Sequence, residues 1–234
     1  MDYQLLISKE TEANFQTTWK IYKLHWKTFL CLSGVLFLVA IVYFLIDIIL
    51  SFLGIAPLFS IDSYTYGAGS VVASWIGRFP IYIVYLFITS LLSMLFMVIP
   101  SLYFTRNEII TWEEPYKVLV KNITRYLLAG FLFTVALTFG YLFCIIPGIL
   151  ITFITPVYVN KITCSKMSIT ESFSSSFQSV FRSKNTFPFL GLQLLAVILY
   201  LLVTTCTCSI GAIIALPMLS IYVQHMAYNK GILN

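Results

Sequence analysis

Long apolar runs alternate with short basic segments along this chain. Phe29–Phe52 and Trp75–Tyr103 are two such runs, and two later stretches, Tyr126–Asn160 and Asn185–Asn229, carry no Lys, Arg, Asp or Glu at all. A helix needs roughly 20 apolar residues to cross a bilayer. The first two runs therefore read as one span each, while the later two are long for one and need their flanks to decide. Arg106, Lys117, Lys121 and Arg125 precede the third run, Lys161, Lys166, Arg182 and Lys184 separate it from the fourth, and Lys230 follows. Lys and Arg gather in cytoplasmic loops, so each later run must cross an even number of times. The pattern predicts an all-α polytopic membrane protein with six transmembrane helices as three hairpins. Pro147 and Gly148 form the outer turn of the second hairpin, since such a pair stops a helix and lets the chain reverse. The third should turn near Thr205–Gly211. Of the 14 Lys and Arg residues, all but Arg78 then fall inside, with both termini cytoplasmic.

Each hairpin follows a segment with helical amphipathic spacing. Phe15, Trp19, Tyr22 and Trp26 share one face, with Lys20, Lys23 and Lys27 beside it. Tyr116, Leu119, Val120, Ile123 and Leu127 share a second such face against Lys117, Lys121 and Arg125, and Ile169, Phe173, Phe177 and Val180 a third. The third segment opens on Ser168-Ile-Thr-Glu171, the spacing of a capping box. These are expected to be interfacial helices whose Lys and Arg meet the phosphates of anionic lipids; the plainer reading makes them cytoplasmic extensions of the spans. Each returning helix also carries a proline, Pro100, Pro156 and Pro217, expected to kink it and leave a carbonyl four residues earlier without its helical donor. Thr152, Thr155 and Ser220 stand close enough in sequence to satisfy such carbonyls. The chain reads as a single membrane domain, 1–234, with pseudo-repeats at about 8–105, 107–164 and 166–230.

Composition agrees. The 234 residues are 59% hydrophobic and 10% charged, against roughly 25% charged in soluble domains, and mean hydropathy is +0.92. The polar, mixed-charge start is unlike a cleavable signal peptide, so the first apolar run is expected to stay as an anchor. The net charge of +5 is spread in small groups, which points away from nucleic acid.

The lead-in with Trp19, the Ile145-Ile-Pro-Gly148 stretch, Ser168-Ile-Thr-Glu-Ser-Phe173 followed by Phe177, and the Pro217-to-Tyr222 ending resemble one bacterial group. It comprises the membrane domain attached to some glycerophosphoryl diester phosphodiesterases and the YciC-type inner-membrane proteins. The resemblance implies six spans and a bacterial inner membrane. It carries over no activity, because the phosphodiesterase barrel and its acidic and histidine residues are missing.

Chemistry is sparse. Asp47 lies inside a predicted span, where ionisable groups are functional candidates. About 27 Å along its helix from Phe29, it reaches the outer interface, where Arg78 is an available ion-pair partner. His25 and His225 fall near the cytoplasmic side and Asp47 and Asp62 outside, so no Ser-His-Asp set can assemble; Glu113 and Glu114 could approach His25 but read as a solvated helix start. Cys144, Cys206 and Cys208 share the outer side, where a disulfide is open to them alongside plain packing. No metal or cofactor is indicated. Gly130, Ala136, Gly140 and Gly191 permit close helix approach, and the loop 54–74 is either a partner-docking or re-entrant segment or a flexible one. The expected function is a non-enzymatic inner-membrane scaffold or complex subunit binding anionic lipids or a membrane-protein partner. The alternative is a small-solute or lipid transporter using the proline helices.

Overall fold

The computed structural model describes residues 11–52, 68–111, 113–143, 145–207 and 210–233, and among these every regular element is a helix. They are α1 (Phe15–Phe52), α2 (Ala68–Arg106), α3 (Glu113–Lys121), α4 (Ile123–Phe143), α5 (Ile145–Cys164), α6 (Ile169–Phe181), α7 (Thr186–Cys206) and α8 (Ala212–Asn229). Five are long and apolar enough to cross a membrane: α1, α2 from Phe79, α4, α5 and α7. The expected sixth, α8, is helical over 18 residues, with Gln224, His225 and Asn229 in its second half, and is not one of these five.

Two segments expected to be separate are continuous. α1 runs for 38 residues through both the first amphipathic segment and the first apolar run, because neither Gly nor Pro interrupts Phe15–Ser33. The first interfacial helix is therefore an extension of the span. α2 starts at Ala68, so the last part of the 54–74 loop is helical, and 54–67 lie outside the described residues. The other two amphipathic segments are distinct helices. α3 is separated from α4 at Asn122, and Arg182–Asn185 separate α6 from α7. Ser168 caps α6 as its spacing predicts: the Glu171 amide donates to Ser168 Oγ, and the Glu171 carboxylate accepts from the Ser168 amide, both at 3.3 Å.

Pro147 and Gly148 are not the turn. They are the third and fourth residues of α5, where proline costs nothing because the first helical amides have no intrahelical partner anyway. α4 ends at Phe143 and α5 begins at Ile145, ahead of the pair; Cys144 lies outside the described residues. Gly148 serves a different purpose: a Cβ there would sit 2.5 Å from the Tyr141 ring, and one on Gly140 would sit 2.9 Å from the Gly148 amide nitrogen. The two glycines let α4 and α5 touch backbone to backbone. At Gly191, by contrast, a Cβ would meet nothing within 4 Å.

The three proline-bearing helices form the centre. α2 packs against both α5 and α8, and these two also touch, while α1, α4 and α7 lie outside them. Leu95, Phe96, Ile99, Leu102 and Tyr103 of α2 make the main core with Ile21, Phe29 and Leu32 of α1 and Ile221 of α8. A second core joins α5 to α8 through Ile154, Val157, Val223 and Met226, closed by Val180 and Phe189. Phe37, Leu38, Phe44 and Leu45 on α1 and Leu194, Leu195, Leu199 and Leu202 on α7 stay exposed, as lipid-facing side chains do.

Candidate functional site

The polar groups of the central helices meet at the end of the molecule that carries most cations. Asn160 Nδ2 on α5 donates to Tyr228 Oη on α8 at 2.7 Å, and that hydroxyl lies 2.9 Å from Thr105 Oγ1 on α2. Thr105 Oγ1 in turn lies 2.7 Å from the Ser101 carbonyl and 3.4 Å from Cys164 Sγ. One turn deeper, Gln224 Nε2 donates to the Pro156 carbonyl at 2.7 Å. On α5 the residues are Pro156, Asn160 and Cys164, and on α8 Ser220, Gln224 and Tyr228, both at i, i+4, i+8 spacing, so each set lines one helix face. Asn160, Gln224 and Ser101 are buried. The spacing was visible in the sequence as polar residues inside charge-free runs, but only the packing shows which two helices present them to each other.

Both histidines lie against α2. His25 meets Tyr103 edge-on at 5.1 Å, and His225 stacks on Phe104 at 4.8 Å. His25 Nδ1 lies 3.0 Å from the Ile21 carbonyl and its Nε2 accepts the Ile110 amide at 3.1 Å. Only the neutral ring with hydrogen on Nδ1 satisfies both contacts. Glu114 is engaged elsewhere, with Arg106 at 3.1 Å and the Thr111 amide at 3.4 Å, so no carboxylate–histidine pair forms there.

The cation set splits into two kinds. Lys20, Lys23 and Lys27 are exposed on the α1 extension, with Lys23 5.5 Å above the Trp19 ring and Lys27 5.9 Å above Trp26. Phe15, Trp19, Tyr22 and Phe29 stack in succession at 6.4, 5.4 and 6.0 Å, and Phe15 and Trp26 are 71% and 48% exposed. The buried stripe of α1 is a different one, Thr18, Ile21, His25, Phe29 and Leu32.

The second basic group is partly committed within the protein. Lys117 bonds Glu113 at 2.6 Å, and that carboxylate, chiefly through the hydrogen bond, holds the ammonium above its ordinary range. Arg125 Nη2 donates to the Met167 and Ser165 carbonyls at 2.7 and 3.3 Å, clasping the chain after α5. Lys121 is exposed.

The remaining expected positions divide similarly. The third aromatic stripe faces protein: Phe173 meets Phe133 and Tyr158 at 6.4 and 5.9 Å. Of the second, Tyr116 packs inward while Val120 and Ile123 are exposed, and the Leu119 side chain lies outside the described residues. Pro100, Pro156 and Pro217 are all within helices. The nearby hydroxyls do not serve the carbonyls these prolines release: Thr152 bonds Gly148 O, Thr155 bonds Ile151 O, and Ser220 bonds Pro217 O. Each takes an acceptor within reach of its own rotamer, three or four residues back, as helical Ser and Thr do.

Asp47 lies on α1, but the Arg78 side chain is outside the described residues, as are Cys144 and Cys208; Cys206 is an exposed free thiol. Among the described residues no three His, Cys, Asp or Glu side chains converge as a metal site would. A cavity of about 10 Å³ between Met94, Leu95, Val98, Pro115, Val118, Tyr126 and Thr163 has room for about one water, far below a ligand pocket of roughly 300 Å³ or more. No family model, no curated protein and no solved structure matches this chain.

Proposed function

We propose that this chain is a six-span bacterial inner-membrane protein, three hairpins with both termini cytoplasmic, that works without catalysis as a lipid- or protein-binding scaffold or complex subunit. The observation that carries the reading is the α1 extension. A helix of 38 residues is about 57 Å long, while the hydrocarbon layer is about 30 Å thick. Roughly half of α1 therefore stands beyond the hydrocarbon, and that half bears the exposed Phe15 and Trp26 and the lysines held over indole rings. Aromatic rings with an apolar body suit the headgroup level, and lysines beside them suit anionic phosphates. The polar contacts among α2, α5 and α8 are short and largely mutual, which suits a fixed assembly better than an open path.

Native purification with mass spectrometry of retained proteins and lipids tests this directly. A scaffold or subunit retains a stoichiometric partner or a selected anionic lipid, and loses it when Lys20, Lys23 and Lys27 are changed to Gln, while Asp47→Asn is tolerated. The reverse sensitivity, with a solute co-purifying, would establish transport through the proline helices instead.

A further inference from the structure

Lys161, half-buried in the last turn of α5, donates to three oxygens of α6: the Ser175 carbonyl at 3.0 Å, Ser175 Oγ at 2.6 Å and Ser179 Oγ at 2.6 Å. An ammonium has three hydrogens and no acceptor, so its capacity is spent on these contacts. Each serine oxygen receives a hydrogen from Lys161 and must point its own elsewhere. Ser175 and Ser179 are themselves half-buried, so two hydroxyl donors are presented beside α6 with a positive charge directly behind them. Among the described residues no carboxylate pairs with Lys161.

The same face continues into a second cation. Ser175, Ser179 and Arg182 stand at i, i+4 and i+7, within about 60° of one another around the helix at 100° per residue. Arg182 is the C-cap of α6 and is exposed, so its guanidinium is open to a ligand from outside. Glu171, one turn before Ser175, has its carboxylate on the Ser168 amide at 3.3 Å. The adjoining face, Ser172, Ser176 and Val180, is buried. α6 is thereby fixed against α5, and the donor set is held in place.

We infer that Ser175, Ser179 and Arg182, backed by Lys161, bind a phosphate-type oxyanion, supplied by the phosphodiester of an anionic lipid headgroup. Hydroxyls polarised by an ammonium and a guanidinium fork are the donors that phosphate oxygens take most strongly. The lipid source rests on the proposal that this end of the protein meets an anionic membrane surface; the oxyanion chemistry does not.

Full-length protein is purified from phosphatidylcholine nanodiscs with and without phosphatidylglycerol, and the retained lipid is counted by native mass spectrometry. In parallel, inorganic phosphate is titrated in detergent while the melting temperature is read. Ser175→Ala with Ser179→Ala should lower phosphatidylglycerol affinity about tenfold, the loss of roughly one charge-assisted contact. Lys20, Lys23 and Lys27 changed to Gln should remove only the partner or lipid held by the α1 extension and leave this site's separate lipid bound. Phosphatidylglycerol lost from the lysine variant but kept by the folded serine variant overturns the site and leaves the wider lipid reading standing. A phosphate-dependent stabilisation abolished by the serine changes, without any preference for phosphatidylglycerol, upholds the oxyanion site and removes the lipid source. Should the serine variant fail to fold, Arg182→Gln, which touches none of the Lys161 bonds, takes its place: weakened responses support the site, and unchanged responses to both probes overturn it.

Discussion

The side-chain amide of Gln224 donates to the backbone carbonyl of Pro156, 2.7 Å away in the neighbouring helix. Four residues further along each helix, Asn160 donates to Tyr228 at the same distance, 2.7 Å. Two side-chain contacts at matching steps mean that α5 and α8 run side by side in a fixed register. A slip of one residue would turn both pairs away from each other.

Tyr228 is the shared member of this arrangement, between Asn160 on α5 and Thr105 on α2. Tyr228→Phe keeps the ring and strands the Asn160 amide, a loss of about 1–3 kcal/mol for a buried donor left without its acceptor. Asn160→Leu in the same background should then cost much less than it does alone, because the two residues act on one contact. Thermal unfolding of the four proteins of that cycle in one detergent checks this; additive losses would mean that the pair does not interact.

Gln224 should behave differently. Its Oε1 is buried with no hydrogen-bond partner among the described residues, so removing the amide discards one contact and one unsatisfied acceptor together. Gln224→Met retains the shape and is expected to change stability by no more than about 1 kcal/mol in either direction. A loss well beyond that, read in the same unfolding assay, would identify a further partner for Oε1.

His25 links α1 to the segment after α2 through the Ile110 amide. His25→Phe fills the same space but leaves that amide and the ring's polar contacts unmade, at a cost of about 1–3 kcal/mol. Hydrogen exchange at Ile110 should accelerate in the variant while exchange in α5 stays slow. Equal exchange at Ile110 in both proteins would mean that the imidazole does not hold that amide.

Much of this arrangement was legible in advance, and the failures share a cause. Ser168 and Glu171 announce a helix start because the capping box is local, confined to four residues. α7 ends at Cys206 and α8 begins at Ala212, so the helix boundary lies in the stretch where the turn was expected, because one uncharged run too long for a single helix must be interrupted between its cationic flanks. Pro147 and Gly148 misled because the same pair that breaks a helix interior is welcome in a helix's first turn. The α1 extension was open to two readings, since amphipathic spacing is the same whether or not the helix continues into the span. The role of Gln224 and Asn160 was out of reach for a different reason. Polar residues every fourth position mark a face, yet only the assembled bundle decides whether that face meets lipid, water or another polar helix.

The glycines give the sharpest separation between two expectations drawn from one residue type. Gly140 and Gly191 both lie within long apolar helices, α4 and α7, and both were expected to permit close helix approach. In the structure only Gly140 has a neighbour: an added methyl would lie 2.9 Å from the Gly148 nitrogen and 3.0 Å from its Cα, whereas at Gly191 there is nothing within 4 Å. Backbone cannot rotate aside as a side-chain tip can, so Gly140→Ala must push α4 and α5 apart, at about 1–3 kcal/mol. Gly191→Ala gains helix propensity without a clash and should be neutral or stabilise by about 0.4–1 kcal/mol. Melting temperatures of the two variants should therefore move in opposite directions from the parent or, at the least, only Gly140→Ala should fall. A matching fall for Gly191→Ala would mean that another chain, a second copy or a partner, packs against that side of α7, and that its glycine is a contact surface after all.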